Sequence, residues 1–167
     1  AISLDGIGEN HDRVRGVPGN YTKAMATMRA LDEIRQRDSR LALSVVTTLM
    51  RHNVSDVRQL LELGLAEWKL DYHSINILRG SWMDPNLQPP TVEQFAEVSE
   101  LQLKQCRHYF RGRWGFVSGM AATLGRRILN GYYMHEMEGK PKDISCNAGE
   151  VSCVIDANSD VYFCELL

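Results

Sequence analysis

The alternation of strand-like and helix-like segments in the first part of the chain is the feature that most restricts the fold. Short apolar runs at 1–6, 41–48 and 67–72 are separated by segments with helical periodicity at 20–38 and 53–64. This βαβαβ pattern with short connections predicts a parallel sheet with right-handed crossovers. Because three parallel strands alone would leave apolar edges, we expect part of a larger α/β barrel and read the chain as the middle of a longer protein.

The boundaries of these segments rest on local signals. Asn20 is typical of a helix N-cap, and helical spacing of apolar residues continues to about residue 38. The run 41–48 is apolar on both faces, which predicts a strand covered on both sides. The next helix is predicted to start at Asn53 or Ser55, and Gly64 is predicted to end it in the left-handed conformation.

The second part of the chain is predicted to be a long loop, two helices and a hairpin. We expect a loop at 74–90 and a helix that starts with a Thr91–Gln94 capping box and is interrupted near Gly112 and Gly115. A further helix is predicted at 116–137. Its expected inner face consists of Val117, Met120, Ala121, Leu124, Ile128 and Tyr132.

The end of the chain has the pattern of a β-hairpin. Two short apolar runs, 151–156 and 161–164, flank a polar turn in which Asn158 can take a positive φ, and Val154 and Val161 are expected to pack. We therefore predict two units, a barrel part at 1–143 and a small appended module at 144–167.

Composition excludes several classes of function. The formal net charge of -2 argues against a general nucleic-acid-binding protein. No run of about 18 apolar residues and no signal segment occur, so we expect no membrane partner and a cytoplasmic location.

Ser3 and Asp5 form the first candidate site. Strand side chains repeat every two residues, so this hydroxyl and carboxylate share one face near the carboxyl end of a predicted parallel strand, where α/β proteins bind ligands. The alternative is structural, with Asp5 capping the following turn and Ser3 a small strand residue.

The cysteines give a second candidate site. Cys146 precedes the predicted hairpin and Cys164 ends it, so folding the ribbon can bring two thiolates together, as zinc or an iron–sulfur cluster requires. We interpret Cys153 as a packing residue and Cys106 as a small core residue of a helix. Without a CxxC pair, the residues alone leave the metal open.

Two groups of segments together resemble one family. The segment 2–6 (ISLDG), the polar turn 11–16 (HDRVRG) and the helix from Asn20 together look like the fourth strand and following helix of radical S-adenosylmethionine (radical SAM) enzymes. The segment 146–164 opens with CNAG and closes with DVYFC, and it resembles the start of the SPASM or twitch module of such enzymes. Ser159 and Phe163 depart from the family pattern, which has Gly and Pro there.

This resemblance implies a function and a set of cofactors. The fold would be the C-terminal part of a partial (β/α)6 TIM-like barrel. The parent enzyme would hold a [4Fe-4S] cluster on a CxxxCxxC loop, reductively cleave S-adenosylmethionine and abstract a hydrogen from a peptide, protein or small-molecule substrate, with flavodoxin or ferredoxin as electron donor. This chain lacks that loop, so the isolated fragment is expected to be inactive.

Site residues are carried over from the resemblance one by one. Ser3, Asp5 and Arg15 would contact S-adenosylmethionine. Val45 and Thr47 of the next strand would line the adenine pocket. Cys146 and Cys164 would be the first two ligands of an auxiliary iron–sulfur cluster. No catalytic residue is predicted.

A non-enzymatic function is the alternative. The same residues are compatible with a small α/β binding module whose hairpin is stapled by zinc. Iron and sulfide content distinguishes the two.

Overall fold

The computed structural model describes residues 1–38, 40–79, 84, 86–113, 115–140 and 147–164. It contains the following elements: β1 (Ile2–Ser3), α1 (Glu9–Arg15), α2 (Asn20–Arg37), β2 (Ser44–Leu49), α3 (Val54–Ala66), β3 (Tyr72–Ile77), α4 (Val92–Arg113), α5 (Gly115–Met137), β4 (Val154–Ile155) and β5 (Val161–Tyr162).

The first three strands form a parallel sheet in the order β1-β2-β3. Ile2 is in register with Val45, and Ser44 with Tyr72. The backbone N–H of Leu4 donates to the carbonyl of Val46 at 2.9 Å, which continues the pairing beyond β1. The predicted α/β class with a parallel sheet is confirmed, and no closed barrel is formed by the described residues.

The two faces of the sheet differ in chemistry. Val45, Thr47 and Leu49 of β2 are buried, whereas Ser44, Val46 and Thr48 are only partly buried. The prediction that this strand is covered on both faces is therefore met only in part, since α5 approaches the second face at Ser44. In register, the less buried side carries a set of side chains that we call the polar face: Ser3, Ser44, Val46, Thr48, Tyr72, Ser74 and Asn76.

The apolar core lies on the opposite face, beneath α2, α3 and α4. One cluster is made by Leu49, Val54, Val57, Leu61, Ile75, Ile77, Phe95 and Val98. The other is made by Leu4, Met28, Leu43, Val45, Leu60 and Leu70. Burial of such side chains stabilises a fold by about 1.5–3 kcal/mol each, so this face holds the layers together.

The third strand starts where it was predicted to end. β3 covers Tyr72–Ile77, so the predicted strand at 67–72 and the start of the predicted loop at 74 are both corrected. α3 continues past Gly64, which is buried inside the helix, and the left-handed residue is Lys69 with φ of 46°. The helix ends later than predicted because tertiary packing keeps Gly64 in the helical conformation, although glycine has a low helix propensity.

The start of α4 agrees with its sequence signal. The Thr91 backbone N–H donates to Gln94 Oε1 at 2.9 Å, and the Gln94 backbone N–H donates to Thr91 Oγ1 at 3.3 Å. The predicted capping box is confirmed. The predicted interruption at Gly112 is wrong, because α4 continues to Arg113; α5 begins at Gly115, and Trp114 lies outside the described residues.

α5 presents a different face from the predicted one. The described members of the expected inner stripe are at least partly exposed: Met120, Ala121, Leu124, Ile128 and Tyr132. Tyr133, Met134 and Met137 pack against the core instead. The side chain of Val117 lies outside the described part. Helical periodicity identifies a stripe, but the neighbouring layers decide which stripe is covered.

The hairpin prediction holds in outline. β4 and β5 pair antiparallel with Val154 opposite Tyr162. Ser159, with φ of 69°, takes the left-handed conformation expected of Asn158. Val154 and Val161 are exposed and do not pack as predicted. The predicted unit boundary at 143 and 144 lies outside the described residues.

None of the described helices is long and apolar enough to cross a membrane.

Candidate functional site

The candidate site lies at the carboxyl ends of β1 and β2. Parallel strands place these ends at one edge of the sheet, where ligands bind in α/β proteins. The loop after β1 and the helix α1 meet the end of β2 there, and long-range hydrogen bonds join them.

Asp5 is the centre of this edge. Its side chain is 3% exposed, Oδ1 accepts the Thr48 backbone N–H at 2.7 Å, and Oδ2 forms an ion pair with the Arg15 guanidinium at 2.6 Å. The Arg15 side chain is 37% exposed. Asp5 therefore links β1 to β2 and orients an arginine that still reaches solvent.

Ser3 is the exposed residue of the predicted pair. It is in register with Val46 on the polar face, while Asp5 turns inward two residues later. The structure thus places the hydroxyl at the surface of the sheet edge, and it brings Asp5 and Arg15 into direct contact.

Val45 and Thr47 lie on the other face. Val45 belongs to the apolar core, and the Thr47 hydroxyl donates to the Leu4 carbonyl at 2.6 Å. Because side chains alternate along a strand, neither shares a face with Ser3. Val46 and Thr48 occupy the face of Ser3, and the assignment of Val45 and Thr47 to an adenine pocket stays a prediction.

Residues of the segment 11–16 make structural hydrogen bonds that the sequence did not predict. The Asp5 backbone N–H donates to His11 Nδ1 at 3.1 Å, so we assign the ring proton to Nε2, which donates to Asn20 Oδ1 at 2.8 Å. His11 is fully buried. It therefore fixes the backbone of Asp5 from α1 and ties it to α2.

Asp12 caps α2 from a distance. Its Oδ1 accepts the Tyr21 backbone N–H at 2.7 Å, and Oδ2 accepts that of Gly19 at 2.6 Å. The bond from Tyr21, with that from Gly19, holds the pKa of Asp12 below its ordinary value. Asn20 is thus the first residue of α2 and not its cap, and its side chain is available to His11.

Asn53 and Asp56 complete the site and were missed as functional positions. Asn53 Nδ2 donates to the carbonyls of Asp5 at 2.8 Å and Thr48 at 2.9 Å. Asp56 Oδ2 accepts the Ile7 backbone N–H and the Asn10 side-chain amide, both at 3.0 Å. The only sequence signal was their place at the start of a helix, which predicts local capping and gives no indication of partners in the 5–10 loop.

A series of buried hydrogen bonds connects the three strands beneath this edge. The Thr47 hydroxyl donates to the Leu4 carbonyl, so its oxygen accepts from His73 Nε2 at 2.8 Å. Burial lowers the pKa of His73 from 6.5 to about 4, so the ring is neutral at neutral pH. Its Nδ1 has no hydrogen-bond partner in the described structure.

The cysteine site is described only in part. Cys146 lies outside the described residues. Cys164 is partly buried after β5, and the hairpin register places Cys153 at the same end of the ribbon. Cys153 is exposed, so its interpretation as a packing residue is corrected. Within the described ranges, no group of three or more metal-ligating side chains is present.

Cys106 is a core residue, as predicted. It is buried in α4, and burial raises the pKa of its thiol to about 11. A thiol with this pKa is neutral and unreactive at neutral pH.

Comparisons with protein-family models, with curated proteins and with solved structures found no match to this chain. The chemistry of the site therefore has to be argued from its own groups. At the carboxyl edge, an exposed hydroxyl and an oriented guanidinium stand beside a polar sheet face, an arrangement that suits a ligand with a carboxylate and hydroxyl groups.

Proposed function

We propose that this chain is the second half of the barrel and the start of the auxiliary module of a radical SAM enzyme. Its parent would be an oxidoreductase or maturase that acts on a peptide, protein or small molecule, with flavodoxin or ferredoxin as electron donor. The observation that carries the proposal is the polar face of the sheet, which ends at the Asp5–Arg15 pair.

The order of strands supports a barrel-type architecture. Strands β1, β2 and β3 are adjacent in chain order, and α2, α3 and α4 pack on one face, while α5 meets the other face at the starts of β2 and β3. A doubly wound sheet reverses its strand order, whereas a barrel keeps the order. Under the proposal, the part of the polar face beyond this contact with α5 is the lumen wall of a half-barrel.

The chemistry of that wall favours a ligand over a packed interior. The lumen of a filled barrel is dominated by branched apolar residues. Here Val46 is the only apolar member of the polar face, and Ser44, Thr48 and Ser74 carry hydroxyls. Polar groups at that position need a ligand or water as partners.

The chain's own groups would act by binding and orientation. Arg15, held by Asp5, would pair with the carboxylate of S-adenosylmethionine, and the Ser3 hydroxyl would bond to its ribose or methionine part. When bound, the cofactor and its [4Fe-4S] cluster supply the reductive cleavage and hydrogen abstraction. The CxxxCxxC ligands of that cluster are not in this sequence, so the isolated chain would be inactive.

The hairpin fits the proposal at one position in particular. Ser159 stands where the family has Gly, and it takes the left-handed conformation with φ of 69° that glycine adopts most easily. Cys164 would ligate the auxiliary cluster together with Cys146. Such thiolates remain reduced in the cytoplasm, which is where the proposal places the protein.

Metal analysis tests the auxiliary site. Full-length parent protein reconstituted anaerobically with iron and sulfide is expected to contain both and to show broad charge-transfer absorbance. Cys164→Ala should lose only the iron of the auxiliary cluster, whereas the matched control Cys153→Ala should retain it. Equal iron in the two variants, or stoichiometric zinc in place of iron, would contradict the proposal and favour the zinc-stapled binding module.

Cofactor binding tests the sheet edge separately. Ser3→Ala is expected to weaken the binding of S-adenosylmethionine by up to about tenfold, because one neutral hydrogen bond is lost. Ser55→Ala, an exposed serine of α3, is the control and should bind as the unaltered chain does. Isothermal titration calorimetry gives both affinities. No binding by the unaltered chain would count against the edge as a cofactor site.

A further inference from the structure

A cavity lies at the other end of the sheet from Asp5. It is about 420 Å³ in volume and is bounded by the first residues of β2 and β3, Ser44 and Tyr72, and by Arg126 and Leu129 of α5. Asp5 contacts Thr48, near the carboxyl end of β2. The two sites are therefore at opposite ends of the strands, and the cavity has the size of a small-molecule site.

Arg126 is the charged group of this cavity. Its guanidinium donates to the Tyr72 hydroxyl and lies 5.6 Å from the centroid of the Tyr72 ring. Burial holds the pKa of Arg126 below its ordinary value, so the position disfavours an unpaired cation. In the described part of the chain, no carboxylate forms an ion pair with it, whereas nearby Arg35 pairs with Asp32 and Asp71.

The remaining geometry favours an anion. A guanidinium has five N–H donors in a planar fork, and a carboxylate matches two of them at once. Tyr72 supplies one acceptor to Arg126, and this hydrogen bond fixes one side of the fork. A partly desolvated arginine held in this way is preorganised for a bidentate anionic ligand.

The walls restrict the class of anion. Ala42, Ala122 and Leu129 give apolar surface for a compact ligand body. Asp71 also lines the cavity; it accepts the Leu43 backbone N–H at 2.8 Å and pairs with Arg35 at 3.2 Å. Its negative charge disfavours a multiply charged anion such as phosphate more than a singly charged one.

We propose that this cavity binds a small monocarboxylate with a compact apolar body, whose carboxylate pairs with Arg126 and whose body lies against Leu129. This site is independent of the cofactor site at the carboxyl edge, and it does not require iron. It assigns a ligand to a cavity on α5 and to an arginine that the sequence motifs did not single out.

NMR titration of the full chain tests the proposal, with phenylacetate as the probe and the Arg126 side-chain N–H signal as the readout. Phenylacetate is expected to give saturable shifts, and the uncharged phenylacetamide is expected to give much smaller ones. Inorganic phosphate should bind more weakly than phenylacetate. Phosphate binding more tightly, equal binding of the amide, or no saturable shift with phenylacetate would each overturn the proposal.

Two neighbouring arginines of α5 provide matched variants. Arg126→Gln should weaken phenylacetate binding by about tenfold to a hundredfold, because a charge-assisted pair is lost, and Arg126→Lys should lie between Gln and the unaltered chain. Arg127→Gln, at an exposed position, should bind as the unaltered chain does. Unchanged affinity of Arg126→Gln would refute the assignment.

A second variant keeps the test decisive if Arg126→Gln does not fold. Leu129→Trp fills the cavity from a position that is already 39% exposed, so it should leave the fold intact. It should abolish phenylacetate binding as measured by backbone NMR shifts. Retained binding would show that the ligand lies elsewhere and would reject the proposal.

Discussion

The carboxyl edge of the sheet and the turn of the hairpin use the same residue types in opposite ways. At the edge, Asp5 and Asn53 are buried, and their side chains bond to groups more than forty positions away in the chain. In the hairpin, the bonds of Asp156 stay within the turn: its Oδ1 accepts the N–H of Asn158 at 2.8 Å and that of Asp160 at 3.0 Å.

The difference shows what a polar residue needs in order to build a site. Bonds within a turn fix a local conformation and remain in water, where each contributes little to the free energy of unfolding. Bonds between distant segments exist only when the layers are packed, and losing one leaves a buried group unsatisfied. The edge can therefore hold Arg15 through the buried carboxylate of Asp5, whereas the hydrogen bonds of the hairpin fix only the conformation of its own turn.

The largest expected effect comes from the buried carboxylate of Asp5. Asp5→Asn should lower the free energy of unfolding by about 3 kcal/mol, because its charge-assisted bonds to the Thr48 N–H and to Arg15 are weakened, while the partial exposure of Arg15 keeps the loss below that of a fully buried pair. Urea unfolding measures the change. Asp38→Asn removes an exposed Asp–Arg pair of similar length, that with Arg40 at 2.8 Å, and should have a far smaller effect. Equal losses in the two variants would contradict the comparison.

The pH dependence of stability should come from His73. In the unfolded chain this residue binds a proton below its ordinary pKa of 6.5, but in the folded chain burial delays protonation to about 4. Stability is therefore complete above pH 6.5 and falls as the pH drops towards 4, by about 3 kcal/mol in all.

Unfolding at several pH values in this window tests the role of His73. His73→Gln should remove most of this decrease, and His52→Gln, at an exposed position, should keep it. If His73→Gln shows the same dependence on pH as the unaltered chain, another group is responsible.

A smaller loss is expected at Gly6. A Cβ atom there would lie 2.9 Å from both Asp56 Oδ2 and the backbone nitrogen of His11, so Gly6→Ala should destabilise the fold by about 1–3 kcal/mol. Gly131→Ala in α5 meets no atom within 4 Å and should stabilise the chain by about 0.5–1 kcal/mol. Thermal unfolding gives both signs, and a neutral Gly6→Ala would show that the loop can move away from Asp56.

The smallest effect is expected in the hairpin. Ser159→Gly relieves a left-handed serine and should stabilise the turn by about 1 kcal/mol without changing the unfolding of the parallel sheet. Hydrogen exchange of the Asp156 backbone N–H, which donates to the Asp160 carbonyl at 3.1 Å, reports on the turn. Asn158→Gly should not slow this exchange. A shift of the global unfolding transition in Ser159→Gly would mean that the hairpin and the sheet unfold together.

The candidate site could be predicted only in part. The ion pair between Asp5 and Arg15 was not predicted, although both were candidate residues, and Ser3 lies at the edge. The sequence did not show that Val45 lies on the core face, because an apolar strand sequence does not show which side the helices cover. Asn53 and Asp56 were missed since their partners lie more than forty residues away in the chain.

The sequence by itself determined the parallel sheet, the alternation of its strands with α2 and α3, the approximate limits of α2 and the capping box of α4, because these depend on periodicity and on contacts within a few residues. It did not predict α1. Only the tertiary structure decided which stripe of α5 is covered, which face of β2 is polar and where Arg126 meets Tyr72. Burial is a property of layers brought together from distant parts of the chain, so local patterns offer a choice of faces and packing selects one.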